Sequence, residues 1–487
     1  MDALLLGLDL GTSGAKAAVY DPSGRLQAES AVAYPTSFPA PGRAEQRPLD
    51  WKQALTVAVW NVVDALGRRV SDLAGAALAA QGPGLVFTGE RGELLVDTIP
   101  TWQDERCAAE GRWLYERVKA VSPGLGGPFT NFLARLRWAQ LYQPEAAERA
   151  RYALGPKDYL LHWLTGEVVT EPTSAAGGLA WDDEVLAACG WPVGRLAKIL
   201  DPATMAGSIR ADVAAKLGLP PRLPVVMGLN DGASATLATG ALDFGEVIVT
   251  LATNGVLRVI MEAPVSAAAR IDHHLFNWPY LPPERWIAGG QIKAGARTLQ
   301  WFGEMTGGRD PVAADLVREA ETSKAGSRGA IFLPYLMGRG SPFSDPAATG
   351  AFVGMTLAST RADLVRAVLE GCAFALRDVQ DDFAGLGHRP RALRLSGGGG
   401  RSGLWRQIVA DVLGQPLTYH ASDSTLGAAM VAAVGLGLHG DWRSATRAMV
   451  HAEAYHEPIA GNVERYREGY RAFCTARDAL FPRGQAG

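Results

Sequence analysis

Apolar residues along this chain fall in short blocks divided by glycine-rich turns. Leu4 to Leu8 is a block of strand length. Ala17 to Tyr20 is a second, closed by the turn Asp21-Pro22-Ser23-Gly24. Between them stands Asp9-Leu-Gly-Thr-Ser-Gly-Ala-Lys16, so the pattern predicts a hairpin over roughly the first 30 residues. Leu49 to Val70 then repeats apolar residues at helical spacing, with Asp50 placed to cap it. Ala76 to Ala80 predicts a small-residue strand entering Gln81-Gly82-Pro83-Gly84. Trp102-Gln103-Asp104-Glu105-Arg106 is expected to open a charged helix, and Arg135 to Tyr142 and Asp158 to Leu164 read as further helices. Leu223 to Leu229 reads as a buried strand, and Ala233 to Leu242 as a helix.

Near Asp243 the pattern restarts. Val247 to Leu251 and Val256 to Met261 are strand blocks joined by Ala252-Thr253-Asn254-Gly255, an echo of the opening hairpin. Helices follow around Leu299, over Leu364 to Asp381, over Leu404 to Leu413, and over Thr425 to Leu436. Strands alternating with helices imply α/β layers. A chain of 487 residues exceeds one ordinary core. Two similar α/β domains are therefore expected, residues 1–243 and 244–487, each presenting a hairpin to a cleft between them.

Composition narrows the partners. With 48% hydrophobic and 20% charged residues the chain reads as soluble and globular, and no apolar run reaches membrane-spanning length. A net charge of −3 favours neither nucleic acid nor an anionic membrane. Cys107, Cys189, Cys372 and Cys474 are far apart and form no CxxC pair, which suits a reducing, cytoplasmic setting. The start of the chain does not resemble a signal peptide.

Four features can carry chemistry. The Asp9–Lys16 segment is a tight strand-to-strand turn that can aim backbone N–H groups at phosphate oxygens, with Asp9 near Mg²⁺ and Lys16 adding positive charge. Its spacing is not that of a P-loop, and the plain alternative is a hairpin whose glycines supply positive φ. Gly397, Gly398, Gly399 and Gly400 follow the strand Ala392 to Leu395. With Gly403 and Asp423 they satisfy a dinucleotide fingerprint, which admits an NAD-linked oxidoreductase. The same glycines can instead let backbone approach an adenine, or simply make a tight turn. Asp231 in Leu229-Asn230-Asp231-Gly232 stands where a strand gives way to a helix. It is either a general base for phosphoryl transfer or the N-cap of that helix. Trp102 and Asp104 can stack on and hydrogen-bond a sugar.

Together these residues resemble a family. Gly350-Ala-Phe-Val-Gly-Met355, seven residues, then Asp363-Leu-Val-Arg-Ala-Val-Leu-Glu370 is similar to the C-terminal signature of the FGGY carbohydrate kinases. These belong to the actin-like ATPase superfamily. Pro156-Lys157-Asp158-Tyr159-Leu160 and Ser396-Gly-Gly-Gly-Gly400 resemble the xylulokinase branch. The resemblance implies two actin-like (ribonuclease H-like) domains closing over ATP and a small sugar or polyol. It places Gly11, Thr12 and Ser13 in the first phosphate hairpin, and Thr253, Asn254 and Gly255 in the second. Gly397 to Gly400 would line the adenosine pocket. Asp231 would be the base, with Gln81, Trp102, Asp104 and Arg106 at the sugar. A homodimer is a family expectation. Departures gather at the acceptor: Gly82-Pro83 replaces Met-His, and Gly232 replaces the asparagine usual after the catalytic aspartate, as in gluconate kinases. The implied activity is ATP-dependent phosphorylation of a ketopentose such as D-xylulose, with gluconate, ribulose or a polyol as alternatives. An actin-like ATPase acting on a protein partner is a remoter one.

Overall fold

In the computed structural model, which describes residues 3–120, 129–175, 181–282, 284–307 and 313–482, two large sheets carry the chain. The first contains β1 (Leu4–Leu10), β2 (Gly14–Tyr20), β3 (Leu26–Ala33), β4 (Leu73–Ala80), β5 (Met205–Ser208) and β6 (Pro224–Val226), in the order β5-β6-β4-β1-β2-β3. The second contains β7 (Glu246–Leu251), β8 (Gly255–Met261), β9 (Phe276–Pro279), β10 (Trp286–Gln291), β11 (Ala392–Ser396), β12 (Leu417–Tyr419) and β13 (Ala454–His456), in the order β9-β10-β8-β7-β11-β12-β13.

The echo heard in the sequence is a duplication of topology. In the first sheet β1, β2 and β3 run antiparallel, while β4 and β6 continue from β1 in parallel. In the second, β7, β8 and β10 run antiparallel, and β11 and β12 continue from β7 in parallel. Both centres thus read 3-2-1-4-5, the ribonuclease H-like order, and the expected two-domain α/β class is what the chain adopts.

Each sheet buries both faces. Alternation along β1 sends Leu4, Leu6 and Leu8 toward α1 (Pro48–Leu66), where Trp51, Leu55 and Val59 complete a core. The outer face of the second sheet packs Val247, Val249 and Leu251 against Val365, Leu369 and Cys372 of α4 (Arg361–Gly385). Between the sheets lie α3 (Asp231–Leu237) and α6 (Ser424–Gly435), in one cluster with Leu5, Ala77 and Val226 of the first sheet and Ile248 and Ile260 of the second. The small residues of α6 let it pack this closely. A Cβ on Gly7 would stand 2.0 Å from the Thr425 carbonyl oxygen, and one on Gly427 2.0 Å from the Ser234 carbonyl oxygen.

Several local expectations shift. The helix expected from Trp102 begins at Ala108, and Trp102 to Arg106 form a turn. Arg47, not Asp50, precedes α1 as its cap, because Pro48 is well suited to the first helical position. The strand expected over Leu223 to Leu229 is confined to β6, and α3 ends at Leu237 rather than Leu242. Two helices used below are α2 (Pro156–Thr165) and α5 (Gly403–Leu413). No helix of the described residues is long and apolar enough to cross a membrane.

The packing makes one stability prediction. Gly7→Ala forces a methyl group into backbone that cannot retreat without moving α6, so it should cost about 3 kcal/mol, the upper end for overpacking. Denaturant melts should show a lower midpoint with an unchanged slope.

Candidate active site

The same alternation that buries Leu6 and Leu8 turns Asp9 toward α6. Asp9 faces Lys16 in register across the first hairpin, and Lys16 Nζ reaches Asp423 Oδ2 at 2.7 Å. Asp423 caps α6 by accepting from the Thr425 N–H. Asp9 is 4% exposed, and its Oδ1 has no hydrogen-bond partner. Burial first, then the carboxylates of Asp423 and Asp231, push its pKa up to about 7 against the pull of Lys16. A buried carboxylate oxygen that is unpartnered and crowded by other carboxylates is suited to a cation. Among the described residues no three metal-ligating side chains gather into a closed metal site. That is compatible with Mg²⁺ held through one or two carboxylates, water and substrate phosphates.

Asp231 is not the cap of α3. Asn230 is the N-cap of α3: its Oδ1 accepts from the Ala233 N–H at 2.7 Å. Asp231 is therefore released from capping, one residue further into the first turn. Its Oδ1 accepts the Gly232 N–H at 2.7 Å. Burial raises its pKa to about 6, with Arg258 pulling the other way. That value keeps it ionised at neutral pH yet basic enough to receive a proton.

A buried network fixes the cap. Asn230 donates its N–H to Thr173 Oγ1 at 2.7 Å and its Nδ2 to the Thr173 carbonyl at 2.9 Å. The Thr173 hydroxyl donates to Glu171 Oε1 at 2.8 Å, and Lys157 of α2 lies 3.1 Å from the same oxygen. Lys157 and Glu171 are 1% and 0% exposed, so this ion pair is held at full desolvation cost and must be well partnered. Ser174 Oγ and the Thr173 N–H supply the remaining donors to Glu171.

The tip of the first hairpin is held by Trp102, Gln46 and Tyr34. Trp102 Nε1 donates to Thr12 Oγ1 at 2.9 Å, Gln46 Nε2 to the Thr12 carbonyl at 2.7 Å, and the Tyr34 hydroxyl to the Gly11 carbonyl. Ser13 is exposed at the tip. Gln81 Nε2 donates to Gln46 Oε1 at 2.7 Å, while its own buried Oε1 has no partner and is available to a ligand hydroxyl. Asp104 and Arg106 are bonded to each other. Asp104 is fully buried, and its oxygens accept from the Ala44 N–H and from Arg106 Nε and Nη2, each at 2.7 Å. Arg106 Nη2 also reaches Glu45 Oε1 at 2.6 Å. The pair clamps the turn under Trp102.

On the other side, Thr253 is exposed and Asn254 partly so at the tip of the second hairpin, with Asn254 Oδ1 unpartnered. A Cβ on Gly255 would meet Ile292 at 2.8 Å. The four glycines after β11 divide. Cβ atoms on Gly397, Gly399 and Gly400 would meet Leu251 O at 2.5 Å, Trp405 Cζ3 at 3.0 Å and Leu395 Cδ2 at 2.4 Å, whereas Gly398 faces open space. Packing forbids a side chain at three of them, and Gly398 has open space beside it. Asp423, the acid of the dinucleotide fingerprint, is occupied by Lys16 and by capping.

Sequence reasoning missed Tyr34, Gln46, Thr173, Glu171 and Arg258. Only Arg258 left a signal: a lone charge inside the apolar block Val256 to Met261.

The model of the FGGY family of carbohydrate kinases matches with its N-terminal domain over residues 4–238 and its C-terminal domain over residues 253–436. The chain belongs to this family. It is a sugar kinase. It is 31% identical over 451 residues to xylulose kinase of Escherichia coli, covering 88% of this chain and 90% of that protein. The solved xyloylose kinase from Brucella ovis superposes with a TM-score of 0.87 at 28% identity, covering 98% and 99% of the two chains. The gluconate kinase from Lactobacillus acidophilus gives 0.86 at 26% identity, covering 99% of each.

Two outcomes follow for this kinase. With Asp231 as the proton acceptor, its protonation should lower kcat roughly tenfold per pH unit below about pH 6. A coupled ADP-release assay between pH 5 and 8 checks this. Thr173→Val leaves the Asn230 N–H without an acceptor, which should cost about 1–3 kcal/mol of stability and lower kcat, while Thr173→Ser restores both. Denaturant melts and steady-state rates on the same preparations read the two effects.

Proposed function

We propose that this kinase transfers the γ-phosphoryl group of ATP, taken as its Mg²⁺ complex, to a hydroxyl of a ketopentose such as D-xylulose. The observation that carries this reading is Asp231, released from capping by Asn230 and electrostatically coupled to Asp9 at the first hairpin. On this reading residues 1–243 supply the acceptor and phosphate side, and residues 244–487 the adenosine side, with Gly398 facing the base. Backbone around Gly11, Thr12 and Ser13, and around Thr253 to Gly255, cradles the phosphates, and Lys16 offsets their charge. Asp9 would hold Mg²⁺, which neutralises phosphate charge when bound.

Asp231 accepts the proton of the acceptor hydroxyl as its oxygen attacks the γ-phosphorus. The bond to the β–γ bridging oxygen breaks, and ADP leaves with that electron pair. Trp102 and the free Oε1 of Gln81 orient the acceptor. The network from Lys157 through Glu171 and Thr173 to Asn230 keeps the carboxylate in place.

The likeness to E. coli xylulose kinase supports the ketopentose. A second acceptor class, an aldonate such as gluconate, is favoured by the likeness to the L. acidophilus gluconate kinase and by Gly232. A screen of D-xylulose, D- and L-ribulose, D-gluconate, glycerol and erythritol by coupled ADP release should show one acceptor class preferred. Asp231→Ala should abolish acceptor-dependent ADP release while calorimetry still detects ADP binding. Full activity of that variant would remove the assignment.

A further inference from the structure

Arg258 has no place in the mechanism above, yet it lies at its centre. It sits mid-strand in β8, where Leu257 and Val259 turn into the core of the second sheet and Ile260 faces α3 and α6. The side chain is 8% exposed. Its Nη1 donates to Thr250 Oγ1 at 2.9 Å, while Nε has no partner at all. Among the described residues no carboxylate forms an ion pair with it. Several other sequestered arginines are matched by carboxylates: Arg366 with Glu370 at 2.8 Å, Arg394 with Glu246 at 2.6 Å, Arg106 with Asp104 at 2.7 Å. Arg135 is also buried without an ion pair, but it donates to the Asp104 carbonyl, away from Asp231 in sequence.

Glycine at residue 232 leaves this guanidinium room beside the first turn of α3. A Cβ there would stand 3.3 Å from Arg258 Nη2, 3.5 Å from Nε and 3.3 Å from Trp278 Cζ2. Trp278 Nε1, on that same edge of the indole, is also buried without a partner. Two donors lacking acceptors, one of them cationic, therefore meet at the first turn of α3, next to Asp231. Buried donors are nearly always satisfied, and a guanidinium matches carboxylate and phosphate oxygens in particular. Asp231 is near enough for its charge to be felt at Arg258, but it does not pair with it. The missing acceptor is best supplied by the ligand.

We propose that Arg258, assisted by Trp278, binds an anionic oxygen of the bound reactants beside Asp231. Two sources share this chemistry: the phosphoryl group in transit, or the carboxylate of an acid acceptor. The inference rests on the kinase reading, and it adds a residue to the site and a criterion for the acceptor.

The test compares wild type, Arg258→Met and Arg258→Lys. Turnover is followed with ATP and either D-xylulose or D-gluconate, and calorimetry follows binding of D-gluconate and of a non-hydrolysable ATP analogue. If the phosphoryl group is the source, Arg258→Met loses about 100-fold in kcat on every accepted acceptor, with gluconate affinity unchanged. If a carboxylate is the source, gluconate binding weakens about 10–100-fold while D-xylulose turnover is retained. Arg258→Lys, which keeps the charge without the fork, should recover part of either loss. It also reads the same question if circular dichroism shows the methionine variant unfolded. The proposal is overturned if the folded variants keep kcat, KM and both binding constants within about twofold of wild type. A wild type that phosphorylates neither acceptor would count against the proposed acceptors, and the binding constants of wild type and variants would still decide the role of Arg258.

Discussion

Everything at the site depends on how closely α6 can approach β1 and α3. Two glycines set that distance. At Gly7 and Gly427 a single carbon would collide with a backbone carbonyl, so the three elements touch main chain to main chain. The cap of α6 is thereby brought to Lys16, and the first turn of α3 is brought near Asp9. A bulkier helix at 424–435 would hold the sheets apart and separate three carboxylates that act as a group. Close packing is here an electrostatic device, because it decides how far apart the charges stand.

Those charges are unevenly satisfied. Burial works against the Asp423 carboxylate, yet Lys16 and the hydroxyl and N–H of Thr425 hold its pKa below the usual range. Asp9 has an oxygen to spare and is pushed up. Asp231 lies between them in character, buried but countered by Arg258. Around Trp102 the contrast repeats: Asp104 is saturated by Arg106 and Ala44, whereas Gln81 retains a free carbonyl. Saturated groups shape the pocket, and unsaturated ones are left for ligands.

The fold was largely legible in the sequence because its main signals are local. Short apolar blocks around Asp9 and Thr253, separated by glycine turns, predict both hairpins, and the strands and helices that follow fall near their observed places. Their equivalence is visible as an echo, but its proof, the shared 3-2-1-4-5 order, lies in strand pairing that no local pattern encodes. The site was legible in part. Asp9 and Asp231 stand out as carboxylates at strand ends. The choice of Asn230 over Asp231 as cap depends on side-chain geometry one residue apart, and the support from Glu171 and Thr173 comes from a loop some 60 residues away. At the glycines 397–400 packing and ligand approach both demand glycine, and sequence cannot separate them. Trp102 to Arg106 failed as a helix because Asp104 bonds Arg106 and the Ala44 N–H, which stabilises a turn instead.

The course of the chain carries a consequence for its biosynthesis. The helix that covers Leu5 and Gly7 is encoded more than 400 residues downstream of them, at Ser424–Gly435. A nascent chain that has already paired β1, β2 and β4 still shows water one apolar face, lined by Leu5, Ala77 and Ala79, until most of the second sheet has left the ribosome. The first half to be made is thus finished only after most of the second sheet has been made. Its exposed face is a temporary adhesive surface, which the folding of the second half must reach before another chain does.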